Sequence, residues 1–94
     1  MSDIDVRENA AGHRLELLLD GEVAGFADYR VRDDVTIVTH SEVDRRFRGQ
    51  GLGNELASRT LDLLRARGAT VRPSCPFFAR YVADHPEYDD IVEA

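Results

Sequence analysis

The sequence predicts an α+β (α/β) domain: a mixed, mostly antiparallel sheet of about five strands with two main helices packed on it. Three observations point there. Apolar residues alternate along successive runs up to Val43. The apolar period then changes to helical spacing from Gly51 onward, and a short apolar segment separates that helix from a second helical pattern.

A weak strand around Ile4 to Glu8 comes first. In the next run Leu15, Leu17 and Leu19 alternate with Glu16 and Leu18, and Asp20-Gly21 suits a tight hairpin turn because glycine tolerates positive φ. Val23 to Val31 alternates less cleanly, with Phe26 on one face and Tyr29 and Val31 on the other. Arg32-Asp33-Asp34 marks a further turn, and Val35 to Val43 is rich in β-branched residues, which favour strands. These runs make an antiparallel meander.

From Gly51 onward Leu52, Leu56, Thr60, Leu63 and Leu64 recur at helical spacing, with Glu55, Arg59, Asp62 and Arg65 outside the stripe, until Gly68 supplies a stop. Ala69 to Arg72 adds a strand beside Val35 to Val43. The pairing is parallel because a helix makes the return. Pro76 suits the first position of a second helix, where its missing N–H has no partner to lose. That helix carries Phe77, Phe78, Tyr81 and Val82; Phe77, Phe78 and Val82 are assigned to packing, and His85-Pro86 ends it. The acidic tail, Glu87 to Ala94, is expected to be ordered only near Tyr88 and Ile91.

With 94 residues the chain has room for one domain, residues 1–94, since a chain this short buries only roughly 60 to 65% of its unfolded surface. Eighteen acidic against twelve basic residues give a net charge of -6, which argues against a nucleic-acid partner. The single cysteine, Cys75, excludes an internal disulfide and a cysteine-based zinc site, so no metal is expected. No apolar stretch is long enough to cross a bilayer, and Met1 to Asp5 does not read as a signal peptide. The expectation is a cytoplasmic protein without a membrane partner, monomer or homodimer.

The informative segment is Arg48-Gly49-Gln50-Gly51-Leu52-Gly53, between a strand and a helix. Such a loop can aim successive backbone N–H groups at one point, and the helix start adds a partial positive charge. Glycine admits an anion without Cβ obstruction, and the Arg48 guanidinium is a donor fork suited to phosphate oxygens. Helix starts also use glycine for ordinary backbone reasons. There is no Gly-Lys-Ser/Thr ending for a nucleoside triphosphate loop, and the repeated strand-helix units of a dinucleotide fold are missing.

The pattern R-x-x-G-x-G at Arg48, Gly51 and Gly53, after a strand ending in Val43, resembles the acetyl-CoA signature of the GNAT (N-acetyltransferase) superfamily. Cys75-Pro76-Phe77, with Tyr81 and His85-Pro86-Glu87-Tyr88 following, resembles its small stand-alone branch of YidJ-like proteins and N-acetyltransferase domain-containing protein 1. The resemblance runs roughly from Leu15 to Val92. It implies that acetyl-CoA is the co-substrate, with its diphosphate on the amides of Gln50, Gly51, Leu52 and Gly53 and its pantetheine arm beside Glu42 and Val43. It also implies transfer of acetyl to an amine, a small one or a protein lysine. The two helices that shape the acceptor site of larger members have no counterpart, since Arg7 to Arg14 is too short to hold them.

Acetyl transfer needs a neutral amine and a proton for the departing thiolate. His40 and Glu42, two residues apart on a strand, share a face, and either suits the base; both also fit polar residues at a strand end. Cys75, just before a helix start, sits where the helix dipole favours a thiolate. The resemblance implies a catalytic role for it near the acetyl-CoA sulfur, including a covalent acetyl-cysteine route, against a residue that lines the channel. The resemblance gives Tyr81 the role of protonating the leaving thiolate, although its place beside Phe77 and Phe78 also suits packing. His85 reads as a helix cap. Arg45 and Arg46 fit either the 3'-phosphate or adenine end of CoA, or a solvated loop. The rival to an enzyme is a CoA-binding or interaction module that kept the loop and lost efficient turnover.

Overall fold

The computed structural model describes residues 3–93; the parts of the Met1 to Asp5 and Glu87 to Ala94 readings that fall on Met1, Ser2 and Ala94 lie outside them. The strands are β1 (Ile4–Asn9), β2 (Arg14–Leu19), β3 (Glu22–Arg32), β4 (Val35–Val43) and β5 (Thr70–Pro73), and the helices are α1 (Leu52–Ala66) and α2 (Pro76–Asp84). The sheet order is β1-β2-β3-β4-β5, antiparallel throughout except for the parallel β4 and β5 pair. The mixed sheet with two helices is the expected architecture.

Both helices pack on one face of the sheet. α1 buries Leu52, Leu56, Ala57, Thr60, Leu61 and Leu64 against Leu17, Leu19, Ala27, Val38 and Val71. The expected stripe ran through Leu63, which is only half-buried, whereas Leu61 is completely covered. A helix lying on a sheet buries a wide stripe rather than a narrow seam, and Leu63 sits at its margin. In α2 the core takes Phe78 and Val82, one turn apart. Phe77 differs from its expected packing role: it is 41% exposed, and its ring lies on the start of α1, where a Cβ at Gly53 would come within 3.2 Å of it.

Two register shifts decide which side chains face the helices. Between β2 and β3, Leu17 pairs with Gly25 but Leu18 with Val23, which leaves Ala24 as an extra residue. Between β3 and β4, Asp28 pairs with His40 but Tyr29 with Val38, which leaves Thr39 extra. One inserted residue reverses the alternation beyond it. Thr36 and Val38 are buried under the helices before the bulge; after it, Ser41 and Val43 are the half-buried positions, while His40 and Glu42 lie exposed on the open face.

The tail does more than expected. Tyr88 and Ile91 are buried, and Val92 forms a parallel bridge with Val71, whose N–H donates to the Ile91 carbonyl at 2.7 Å. No helix among the described residues is long and apolar enough to cross a membrane.

Candidate active site

β5 pairs with β4 over only four residues, from Val35 with Thr70 to Val38 with Pro73. Pro73 has no N–H to extend the ladder, and the Cys75 N–H donates to the Val38 carbonyl at 2.8 Å as the chain turns into α2. β4 runs on with only β3 beside it, so among the described residues its other edge from Thr39 to Val43 has no strand partner. A cavity of ≈ 190 Å³ opens there, lined by Ser41, Glu42, Val43, Gly53, Leu56 and Phe77. It adjoins another of ≈ 230 Å³ lined by Phe47, Arg48, Gly49, Gly51 and Leu52, with Val43 and Gly53 common to both. Together they form a groove, mainly apolar at one end and glycine-lined at the other.

Gly51 is the N-cap of α1 at φ 72°, in the left-handed region, and no side chain caps the helix. The first amide to bond back is that of Glu55, to the Gly51 carbonyl at 3.3 Å. The amides of Leu52, Gly53 and Asn54 therefore have no acceptor within the helix, and they point out of its positive end. Arg48 has no ion pair among the described residues, nor has Arg45. Arg46 is committed elsewhere, to Glu22 at 2.7 Å and Asp44 at 3.2 Å. The Arg46 backbone N–H and guanidinium in turn hold the Asp44 carboxyl below its usual range. Gln50 lies exposed in the same loop without lining the cavity.

Cys75 is the N-cap of α2 and is 4% exposed. Its sulfur lies 3.2 Å from the Ser41 hydroxyl oxygen. His40 and Glu42 do share a face, with Nε2 and Oε2 3.1 Å apart, but it is the open face, opposite Cys75. Glu42 and Val43 line the groove and also a cavity of ≈ 430 Å³ bounded by Val23, Phe26, Asp44 and Arg45. One short piece of β4 thus separates the groove from a hollow on the other side of the sheet.

Residues 14–91 match the family model described as GCN5-related N-acetyl-transferase. The chain belongs to the GCN5-related N-acetyltransferase family. No curated protein matches it. Among solved structures, it is similar to the ribosomal-protein-S18-alanine N-acetyltransferase from Escherichia coli, with a TM-score of 0.62 and 22% identity over 89% of this chain and 76% of that one. It is also similar to a GCN5-related N-acetyltransferase from Sphaerobacter thermophilus, with a TM-score of 0.50 and 27% identity over 79% of this chain but only 28% of that one.

Family members use acetyl-CoA as co-substrate, and the residues of this acetyltransferase fit such a molecule: uncapped amides and a free guanidinium suit a diphosphate, and Val43, Leu56 and Phe77 suit an aliphatic arm. Tyr81 does not line the groove. Its ring stacks on His85 at 3.9 Å, and it lines a separate depression with Asn54, Phe77, Arg80 and Asp84. His85 serves as a cap, its backbone N–H donating to the Val82 carbonyl and its Nδ1 2.7 Å from the Tyr81 carbonyl.

Sequence reasoning overlooked Ser41 and assigned Phe77 to packing alone. No local signal marks Ser41, since only the Thr39 bulge turns it towards the groove. For Phe77 the signal was present: Phe78 and Val82 are spaced as one buried edge, which puts Phe77 outside it.

Proposed function

We propose that this acetyltransferase, a single domain spanning residues 1–94 of the YidJ-like branch, binds acetyl-CoA where β4 and β5 part and passes the acetyl group to an amine arriving from the open face. The carrying observation is that parting: β4 offers an unpaired edge at the spot where the groove and the open-face hollow are separated only by Glu42 and Val43. Val43, Arg48 and the loop Gly49, Gln50, Gly51, Leu52 and Gly53 hold the cofactor. The amides and Arg48 take the diphosphate, and β4 takes the pantetheine amide groups as an added strand would.

The two sides of β4 divide the chemistry. Glu42, with His40 3.1 Å away, accepts the amine proton on the open side. The amine nitrogen forms the new C–N bond, and the C–S electron pair leaves towards the helix side, where Cys75 supplies a proton from behind the Ser41 hydroxyl. Tyr81 faces a different depression and is not assigned that step. The Escherichia coli relative acts on an alanine of a ribosomal protein. The acceptor hollow here is open rather than enclosed, which suits an amine displayed on a protein chain, a lysine or an N-terminus, better than a free small amine.

Calorimetric titration with acetyl-CoA, followed by intact mass spectrometry and by thiol release in the presence of lysine-bearing and N-terminal peptides, tests this reading. Saturable binding with peptide acetylation and an unlabelled protein is expected. An acetyl group on Cys75 would replace direct transfer with a covalent route. Binding with no turnover across the peptides would favour the CoA-binding module, and the absence of binding would overturn the groove.

A further inference from the structure

The groove does not reach Cys75. Its wall is Ser41, Glu42, Val43, Gly53, Leu56 and Phe77, and Cys75 lies one layer behind, 4% exposed, with its sulfur 3.2 Å from the Ser41 hydroxyl. A thioester lying along β4 meets the Ser41 oxygen before it meets the cysteine. Ser41 owes this place to the bulge at Thr39: without the extra residue the alternation of β4 would send Ser41 to the open face and His40 to the helix side.

We propose that Ser41 is a catalytic residue of the acetyl transfer and that Cys75 acts only through it. The proposal rests on the reading of the groove as the acetyl-CoA site. As the C–S bond breaks, the electron pair goes to the CoA sulfur, which takes the Ser41 hydroxyl proton. The Ser41 oxygen takes the Cys75 thiol proton in the same step, and the cysteine recovers one from solvent. A hydroxyl suits this relay because it donates one proton while accepting another. The amine proton leaves separately, on the open face, through Glu42. The serine also explains why a buried thiol lies behind the groove wall without lining it.

Two readouts test this. In the ligand-free protein, Ser41→Ala removes the group between groove and sulfur, so alkylation of Cys75 by iodoacetamide should rise several-fold, whereas Ser41→Thr, which keeps a hydroxyl, should leave it near the wild-type rate. In turnover with a lysine-bearing peptide, Ser41→Ala should lower kcat by about 10²-fold while leaving the calorimetric affinity for acetyl-CoA unchanged. Ser41→Thr should rescue, and adding Cys75→Ala to Ser41→Ala should cost nothing more, because the two residues act as a unit. Unchanged alkylation in Ser41→Ala, or multiplicative losses in the double variant, would overturn the relay. If wild-type protein fails to bind acetyl-CoA, the groove reading fails and takes the relay with it. If it binds and Ser41→Ala turns over normally, only the relay falls.

Discussion

A Cβ at Gly25 would stand 2.7 Å from the Glu42 carbonyl oxygen, closer than side-chain and backbone atoms approach. Gly25 sits opposite Val43, next to the extra residue Ala24, where β3 is drawn against the last residues of β4. The position of Glu42 between groove and hollow therefore depends on a residue of the neighbouring strand that has no side chain.

Replacing that glycine should move β4. Gly25→Ala forces the Glu42 peptide away and is expected to cost about 1–3 kcal/mol, the range for overpacked sites. In a domain of this size each kcal/mol is worth roughly 4–8 °C of Tm, so thermal unfolding reads the effect directly. Acetyl-CoA affinity should fall as well, because the displaced peptide lines the groove.

The loop makes a contrasting case. At Gly51 a Cβ meets nothing within 4 Å, yet its φ of 72° is strained for any other L-residue by about 1–2 kcal/mol, and more for a β-branched one. Gly51→Val should leave a folded, somewhat less stable protein whose acetyl-CoA affinity drops by at least about tenfold, each tenfold being 1.4 kcal/mol. Arg48→Ala, which loses no ion pair among the described residues, should weaken the same titration by about 1.5–3 kcal/mol while leaving Tm unchanged. Unchanged affinity in both variants would remove the diphosphate site from this loop.

Cys75→Ala separates binding from chemistry. Because the sulfur lies behind the groove wall, its loss should leave the Kd for acetyl-CoA close to wild type and lower turnover by about 10²-fold, the smaller end of a lost general acid. A Kd raised as much as kcat is lowered would show that the thiol instead shapes the cofactor channel.

Acid should loosen the clasp between β1 and the end of α1. Glu8 is bonded to Arg67, at 2.6 Å, and to the Tyr29 hydroxyl, and the Arg67 hydrogen bond followed by that of Tyr29 holds its carboxyl below the usual 4.5. A carboxyl with a depressed folded pKa stabilises the protein above its unfolded value, and this contribution disappears as pH falls below about 4.5 through the folded one. Glu8→Gln should therefore lower stability near neutrality and flatten the acid limb of a stability-against-pH curve below about pH 4.5. A parallel acid limb in the variant would assign the acid sensitivity to other carboxyls.

Much of this was legible because it is local. The Asp20-Gly21 turn, the meander, the helical period from Leu52, the parallel return to β5 and the proline start of α2 each follow from conformational preferences that act over a few residues. The glycine loop was legible for the same reason, since a helix start between a strand and a run of glycines declares uncapped amides whatever surrounds it.

The pairing of Ser41 with Cys75, and the separation of both from His40 and Glu42, came only with the tertiary structure. Alternation read along β4 keeps one parity from Val35 to Val43, but an unpaired Thr39 reverses it, and a bulge is set by the register of two strands rather than by either sequence alone. Leu63 was misplaced by the same kind of limit, because spacing names a stripe while the neighbouring sheet decides how wide that stripe is and where its edge falls. The sequence by itself determined the elements, their order and the glycine loop with its uncapped helix start, through short-range backbone chemistry. The tertiary structure decided which side chains share a chamber, because that depends on register and packing between segments up to 34 residues apart.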